Sequence, residues 1–331
     1  MNEPGDHLKV GTRRGFLNGA GVAAGAALLG GDFSAHAQAP GGQPAAPERD
    51  NSNVRSSVPL DVHSLGKLGP LKDLGGVWVG TGFNLISLPD FDNPQGPRKF
   101  RLKLNATRET LEFQPIGGNV PNRGSVGQED INIVGFTYLQ RISDSLSNGA
   151  LHVEPGLWLH VPATSVPAQP ETVVRQGSIP HGTSVLAQGA VIKALNTPPH
   201  FHAVDSTPFN SKGPITGPGY LAPFDQATLP PGFGPPFLKN PNLALEAAIL
   251  GQNIVRSEVL SVSTKGGGGL VNIPFLVANA NATQLDAIFW IETVEQPDGT
   301  PFMQLQYTQT VLLSFLDISW PHISVATLVK Q

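Results

Sequence analysis

The chain has 331 residues, a formal net charge of −4 and no cysteine. The lack of Cys excludes disulfides, thiolate metal sites, iron–sulfur clusters and cysteine nucleophiles, and the acidic balance gives no basic footprint for nucleic acid. Gly 38 and Pro 31 argue against long helices, because proline removes a backbone donor and glycine costs helix entropy; 40% hydrophobic residues still suffice for a core.

The N-terminal segment reads as an address. Arg13-Arg14 precede Phe16-Leu17, and an Ala/Gly-rich, weakly apolar run extends to Gly31. Small-residue sites follow at Ala35-His36-Ala37 and Ala37-Gln38-Ala39. The second leaves Pro40 just after the cut, a poor fit to a protease cleft, so cleavage after Ala37 is expected. Residues 1–37 resemble a twin-arginine signal peptide. The resemblance implies passage through the twin-arginine export machinery, folding before export, and a periplasmic or secreted protein. The apolar run is too short and glycine-rich for a stable membrane span. Residues 38–59, rich in Pro, Gly, Asn and Ser, read as a flexible linker.

A globular pattern begins near Leu60. Strand-like runs follow at Val77–Leu85, Phe100–Leu104, Glu109–Gln114, Ile131–Gln140, Gly149–Val153, Gly156–Val161, Thr172–Ile179 and Ser184–Leu195. More follow at Val255–Ser263, Leu270–Val277, Leu285–Val294, Phe302–Leu313 and Ile323–Val329. Many alternate apolar with polar residues, the period of a half-buried antiparallel strand. Turns are expected at Gly117-Gly118-Asn119, Glu154-Pro155-Gly156, Pro180-His181-Gly182, Gly266 to Gly269 and Pro297-Asp298-Gly299. A Pro-rich, aromatic-bearing insertion spans about 198–252, with one short helix near Asn242–Gln252. Two roles are open for it: closing a pocket, or making a homodimer contact. The strand count, short turns and few short helices predict an all-β fold, a closed antiparallel barrel carrying that insertion.

Three patches resemble the nitrobindins, haem-binding barrels of the fatty-acid-binding-protein and lipocalin-like type. They are Gly76-Val77-Trp78-Val79-Gly80-Thr81-Gly82, Leu151-His152-Val153-Glu154-Pro155-Gly156-Leu157-Trp158, and His322-Ile323-Ser324-Val325-Ala326-Thr327-Leu328-Val329-Lys330. The resemblance covers roughly 72–195 and 254–331 and implies about ten strands. It also implies non-covalent haem b with His322 as axial ligand to the iron, and chemistry on peroxide, peroxynitrite or nitric oxide. Phe83-Asn84-Leu85-Ile86 departs from the family's usual continuation, so no distal-pocket residue carries over there.

The residues also support a direct reading. Trp78, Gly80 and Gly82 share one strand face, where glycines admit a flat ligand or a neighbouring strand. His322, Ser324, Ala326 and Leu328 share another, which suits a ligand-facing wall with one imidazole. His152 and Glu154, two apart, form a histidine–carboxylate pair that can act as a general base or make a rim ion pair. His200 and His202, with Asp205 nearby and His181 or His160 as a third ligand, are the alternative metal site. Arg101, Arg141 and Arg175 are strand-borne candidates for pairing haem propionates. Three functions follow: an exported haem protein, a non-catalytic carrier of haem or a small apolar ligand, and a non-haem metalloenzyme.

Overall fold

The computed structural model describes residues 66–90, 100–217 and 223–331. The expected signal peptide at 1–37 and linker at 38–59 lie outside the described residues. Ten strands carry the fold. They are β1 (Gly76–Pro89), β2 (Phe100–Pro115), β3 (Ile131–Asp144), β4 (Ala150–Val161), β5 (Thr172–Ile179), β6 (Thr183–Leu195), β7 (Asn253–Asn272), β8 (Asn281–Glu295), β9 (Pro301–Phe315) and β10 (Ile318–Lys330). Each pairs antiparallel with its chain neighbours, and β10 returns to β1, from Trp78 opposite Lys330 to Leu85 opposite Ile323. The expected all-β closed barrel of about ten strands is the observed architecture. Among the described residues no helix is long and apolar enough to cross a membrane.

Several local expectations are corrected. The runs Phe100–Leu104 and Glu109–Gln114 form one strand, β2. The turn expected at Glu154-Pro155-Gly156 is strand interior, because Gly149–Val153 and Gly156–Val161 join in β4. Pro155 sits one residue beyond the last β4–β5 pair, Gly156 opposite Gly177, where a strand tolerates the missing donor. Gly266 to Gly269 make a bulge inside β7 rather than a turn. The run Leu270–Val277 ends its strand at Asn272. Pro274, a favourable first helical residue, then opens a short helix over Pro274–Asn279.

One end of the barrel is plugged. A 3-10 turn at Gly69–Leu71 tucks Leu68, Leu71 and Leu74 against Trp78, Phe113, Phe136 and Trp158 in a dry core. Trp78 donates its indole N–H to the Leu74 carbonyl at 2.7 Å, which satisfies its single polar atom.

The described part of the insertion packs outside the barrel. Phe201, Phe224, Leu238 and Leu245 cover Phe83 and Leu85 of β1 and Ile323 and Val325 of β10. Around these residues β1 and β10 are therefore covered on the outer face as well as the inner. The contact also holds polar groups. The Leu245 carbonyl accepts from Gln306 at 3.1 Å, and Gln252 and Gln304 exchange hydrogen bonds at 3.1 and 3.0 Å. Gln304 donates to Glu292 Oε2 at 2.6 Å, while the buried Glu292 Oε1 has no partner. Burial pushes the Glu292 carboxyl up to about 8, against the weaker opposing bond from Gln304. A carboxyl raised in the fold stabilises fully only below its unfolded value near 4.5 and loses that contribution as pH rises through about 8. Glu292→Gln is thus expected to match the parent in Tm at pH 5 and exceed it at pH 9; an equal gap at both pH values contradicts the assignment.

Candidate ligand cavity and its buried polar floor

The half of the barrel away from the plug encloses a cavity of about 440 Å³. Its walls include Ile86, Leu88, Val185, Leu270, Val311 and Leu313, with Asn84, Gln140, His152, His181, Gln309 and His322 as polar lining. The division follows from strand alternation. Inward positions near the plug carry Trp78, Phe136, Trp158 and Phe289, which fill the lumen. Farther along the same strands the inward positions hold smaller or polar side chains, and the lumen opens.

Below the cavity lies a buried ionic cluster. Arg175 donates from Nη2 to Glu154 Oε1 at 2.7 Å, from Nε to the Tyr138 hydroxyl at 3.2 Å, and from Nη1 to Gln309 Oε1 at 2.6 Å. The Tyr138 hydroxyl also donates to Glu154 Oε1. His152 Nε2 stands 3.1 Å from Glu154 Oε2. Burial opposes the charge on Glu154, but the Arg175 guanidinium and the His152 bond outweigh it and hold the carboxyl at about 2. Gly177 makes the cluster sterically feasible: a Cβ there would come within 2.5 Å of Glu154 Oε1 and 2.7 Å of the Tyr138 hydroxyl.

A second buried carboxylate sits two strands away on β2, with Gln140 of β3 between it and Glu154. Glu109 Oε2 accepts from the Tyr307 hydroxyl at 2.6 Å and Oε1 from Thr107 Oγ1 at 2.9 Å. Gln140 donates to the Tyr307 oxygen at 3.1 Å. Burial pushes the Glu109 carboxyl up, and these hydrogen bonds pull against it.

His322 projects from β10 into the cavity, with its Nε2 2.9 Å from Asn84 Nδ2; that amide also donates to Ser324 Oγ at 2.9 Å. Burial, then the neighbouring His152 and His181, push His322 down to about 3, so its ring is neutral at physiological pH. His181 occupies the β5–β6 turn at the cavity edge, its ring centroid 6.1 Å from that of His152. Burial, then His152, pushes His181 down.

The sequence-derived residues separate into groups. His152, His322 and His181 share the cavity, with Glu154 directly beneath. Trp78 belongs to the plug and does not line the cavity. Gly80 and Gly82 serve strand contact: a Cβ would lie 2.1 Å from the Thr327 carbonyl oxygen at Gly80 and 2.2 Å from that of Val325 at Gly82. His200 and His202 are exposed, with ring centroids 4.7 Å apart. Asp205 accepts from the Thr207 amide, and His160 binds the Lys67 carbonyl at the plug. Among the described residues no group of three or more His, Cys, Asp or Glu has metal-holding geometry. Arg141 faces outward to Glu112, and Arg175 is the buried partner of Glu154.

Asn84, Tyr138, Glu109, Tyr307, Gln140 and Gln309 escaped the sequence reading. A signal exists for two of them. Glu109 shares strand parity with Leu111 and Phe113, and Gln309 with Leu305 and Leu313, so each is a polar residue pointed inward. Removing one partner of a buried ion pair costs about 3–5 kcal/mol, because the other charge stays uncompensated. Glu154→Gln is therefore expected to lower stability to denaturant by about that much at pH 7. A carboxyl lowered in the fold stabilises above its unfolded value near 4.5 and loses that contribution as pH falls through about 2. Parent and variant denaturation curves should therefore converge near pH 2; a constant gap would refute the pairing as the cause.

No family model matches the chain, and no curated protein matches it. Among solved structures the chain is similar to Rv2717c from M. tuberculosis, with a TM-score of 0.40 and 16% sequence identity, covering 81% of this chain and 97% of that one.

Proposed function

We propose that the protein is an exported haem-b-binding barrel in which His322 is the axial ligand. The observation that carries this reading is a neutral imidazole set in an apolar-walled cavity. Neutral imidazole is the usual protein ligand of haem iron, and aliphatic walls suit the faces of a porphyrin. The nitrobindin-like motifs support the reading, and zero Cys leaves histidine as the natural ligand and non-covalent binding as the mode. Twin-arginine export to the periplasm or beyond belongs to the same proposal and is supported by Arg13-Arg14 and the run that follows.

The protein residues have separable tasks. Asn84 must release His322 Nε2 for that atom to serve as ligand. Lys103 lines the cavity from an exposed position on β2, where it can pair a propionate. His152, oriented by Glu154, can take a proton from a molecule in the cavity. The bound haem would supply the iron chemistry toward peroxide, peroxynitrite or nitric oxide. Haem titration of the refolded chain should give a Soret band that saturates at one equivalent. His322→Ala should weaken affinity at least ~tenfold and change the ferric spectrum; unchanged affinity and spectrum would overturn the ligand assignment.

A second reading is a carrier of a small apolar ligand without turnover. It is favoured by the Asn84 amide already seated on His322 Nε2, and by a floor whose cation is neutralised by Glu154. Protein purified from its native host with a non-porphyrin apolar molecule in its organic extract, and no Soret band, would support this reading against the first.

A further inference from the structure

We infer that the cavity floor is a built receptor for an uncharged head group that both donates and accepts a hydrogen bond, carried on an apolar chain. The inference rests on the carrier reading and names its ligand class: a primary amide or an alcohol of a linear hydrocarbon.

The argument follows from what each buried group can and cannot do. A guanidinium only donates. Arg175 Nη1 lies 2.6 Å from Gln309 Oε1, so the amide carbonyl is turned to the arginine, and the NH2 is the end left for the cavity. A carboxylate only accepts. Glu154, ion-paired to Arg175 at 2.7 Å, receives His152 Nε2 at 3.1 Å, so that nitrogen carries the proton. In the neutral ring the lone pair then sits on Nδ1, which has no hydrogen-bond partner among the described residues. One buried ion pair thereby sets two otherwise ambiguous side chains: Gln309 as a donor and His152 as an acceptor. Both line the same cavity. A head group that accepts from Gln309 and donates to His152 satisfies both; an ester satisfies only the first.

Charge selects against an anion at this depth. The Arg175 guanidinium already has Glu154 as counter-charge, and Glu109 lies in the same polar layer. The lining lysine, Lys103, is exposed on β2 rather than buried in the floor. The aliphatic walls Ile86, Leu88, Leu270, Val311 and Leu313 accept the hydrocarbon chain.

Calorimetric titration of the full chain at pH 8 with decanamide, decan-1-ol, methyl decanoate and decanoate tests the inference. Decanamide and decanol should bind at least ~tenfold more tightly than the ester and the carboxylate, the worth of one well-made hydrogen bond. Gln309→Leu should weaken decanamide, decanol and the ester alike, since each accepts from that side chain. His152→Phe should bring decanamide and decanol to the affinity of the ester while leaving the ester unchanged, and either variant suffices if the other fails to fold by circular dichroism. Equal binding of all four probes overturns the head-group assignment and leaves the carrier reading standing. Tightest binding of decanoate, abolished by Lys103→Ala, also overturns it. Failure of all four probes to bind overturns both.

Discussion

Closure of the sheet is the constraint on which everything else rests. An open ten-strand sheet would leave two edges with unpaired backbone donors and acceptors. Pairing β10 with β1 removes both edges and creates an inside. The register then decides which residues face it. Asn84 opposite Ser324 places Asn84, His322 and Ser324 in the lumen, while Phe83, Leu85, Ile323 and Val325 lie beneath the insertion. A slip of one residue would exchange the two sets, putting the histidine against hydrocarbon and valine against the polar floor. The apolar cover outside and the polar lining inside therefore enforce the same register.

The Arg175–Glu154 pair adds little net stability, since desolvating two charges offsets most of their attraction. What it supplies is definition. Arg175 donates to Glu154, Tyr138 and Gln309, and Glu154 reaches His152, so four strands contribute to one fixed arrangement. A neutral network of the same shape would leave amide and imidazole orientations degenerate. The ion pair removes that degeneracy at the layer where a ligand's end would rest, and Gly177 leaves the room it needs.

Much of the barrel was legible as alternation. Ile323–Val329 sorts cleanly into two faces, and the turns at Pro180-His181-Gly182 and Pro297-Asp298-Gly299 stand where glycine and proline chemistry puts them. The failures have physical causes. Glu154-Pro155-Gly156 carries strong turn chemistry, yet proline is harmless where pairing with a neighbouring strand has stopped, and that stop is a tertiary fact. Alternation puts Val325 on the face away from the lumen, but what covers Phe83 and Val325 there is a distant insertion, which no local pattern shows. Within the site, an inward carboxylate such as Glu109 can be read from parity with Leu111. The contact of Asn84 with Ser324 spans 240 positions and cannot be read locally.

The dry plug of Trp78, Leu71 and Leu74 has a kinetic consequence. Among the described residues, a lumen filled at one end opens toward the other. Any occupant must leave by the path it entered, so a second molecule cannot push the first out from behind. Exchange is then strictly sequential, and residence time is governed by the rim and the short helix after β7 rather than by the wall. A vessel of this shape suits retention and one-at-a-time delivery, not flow-through.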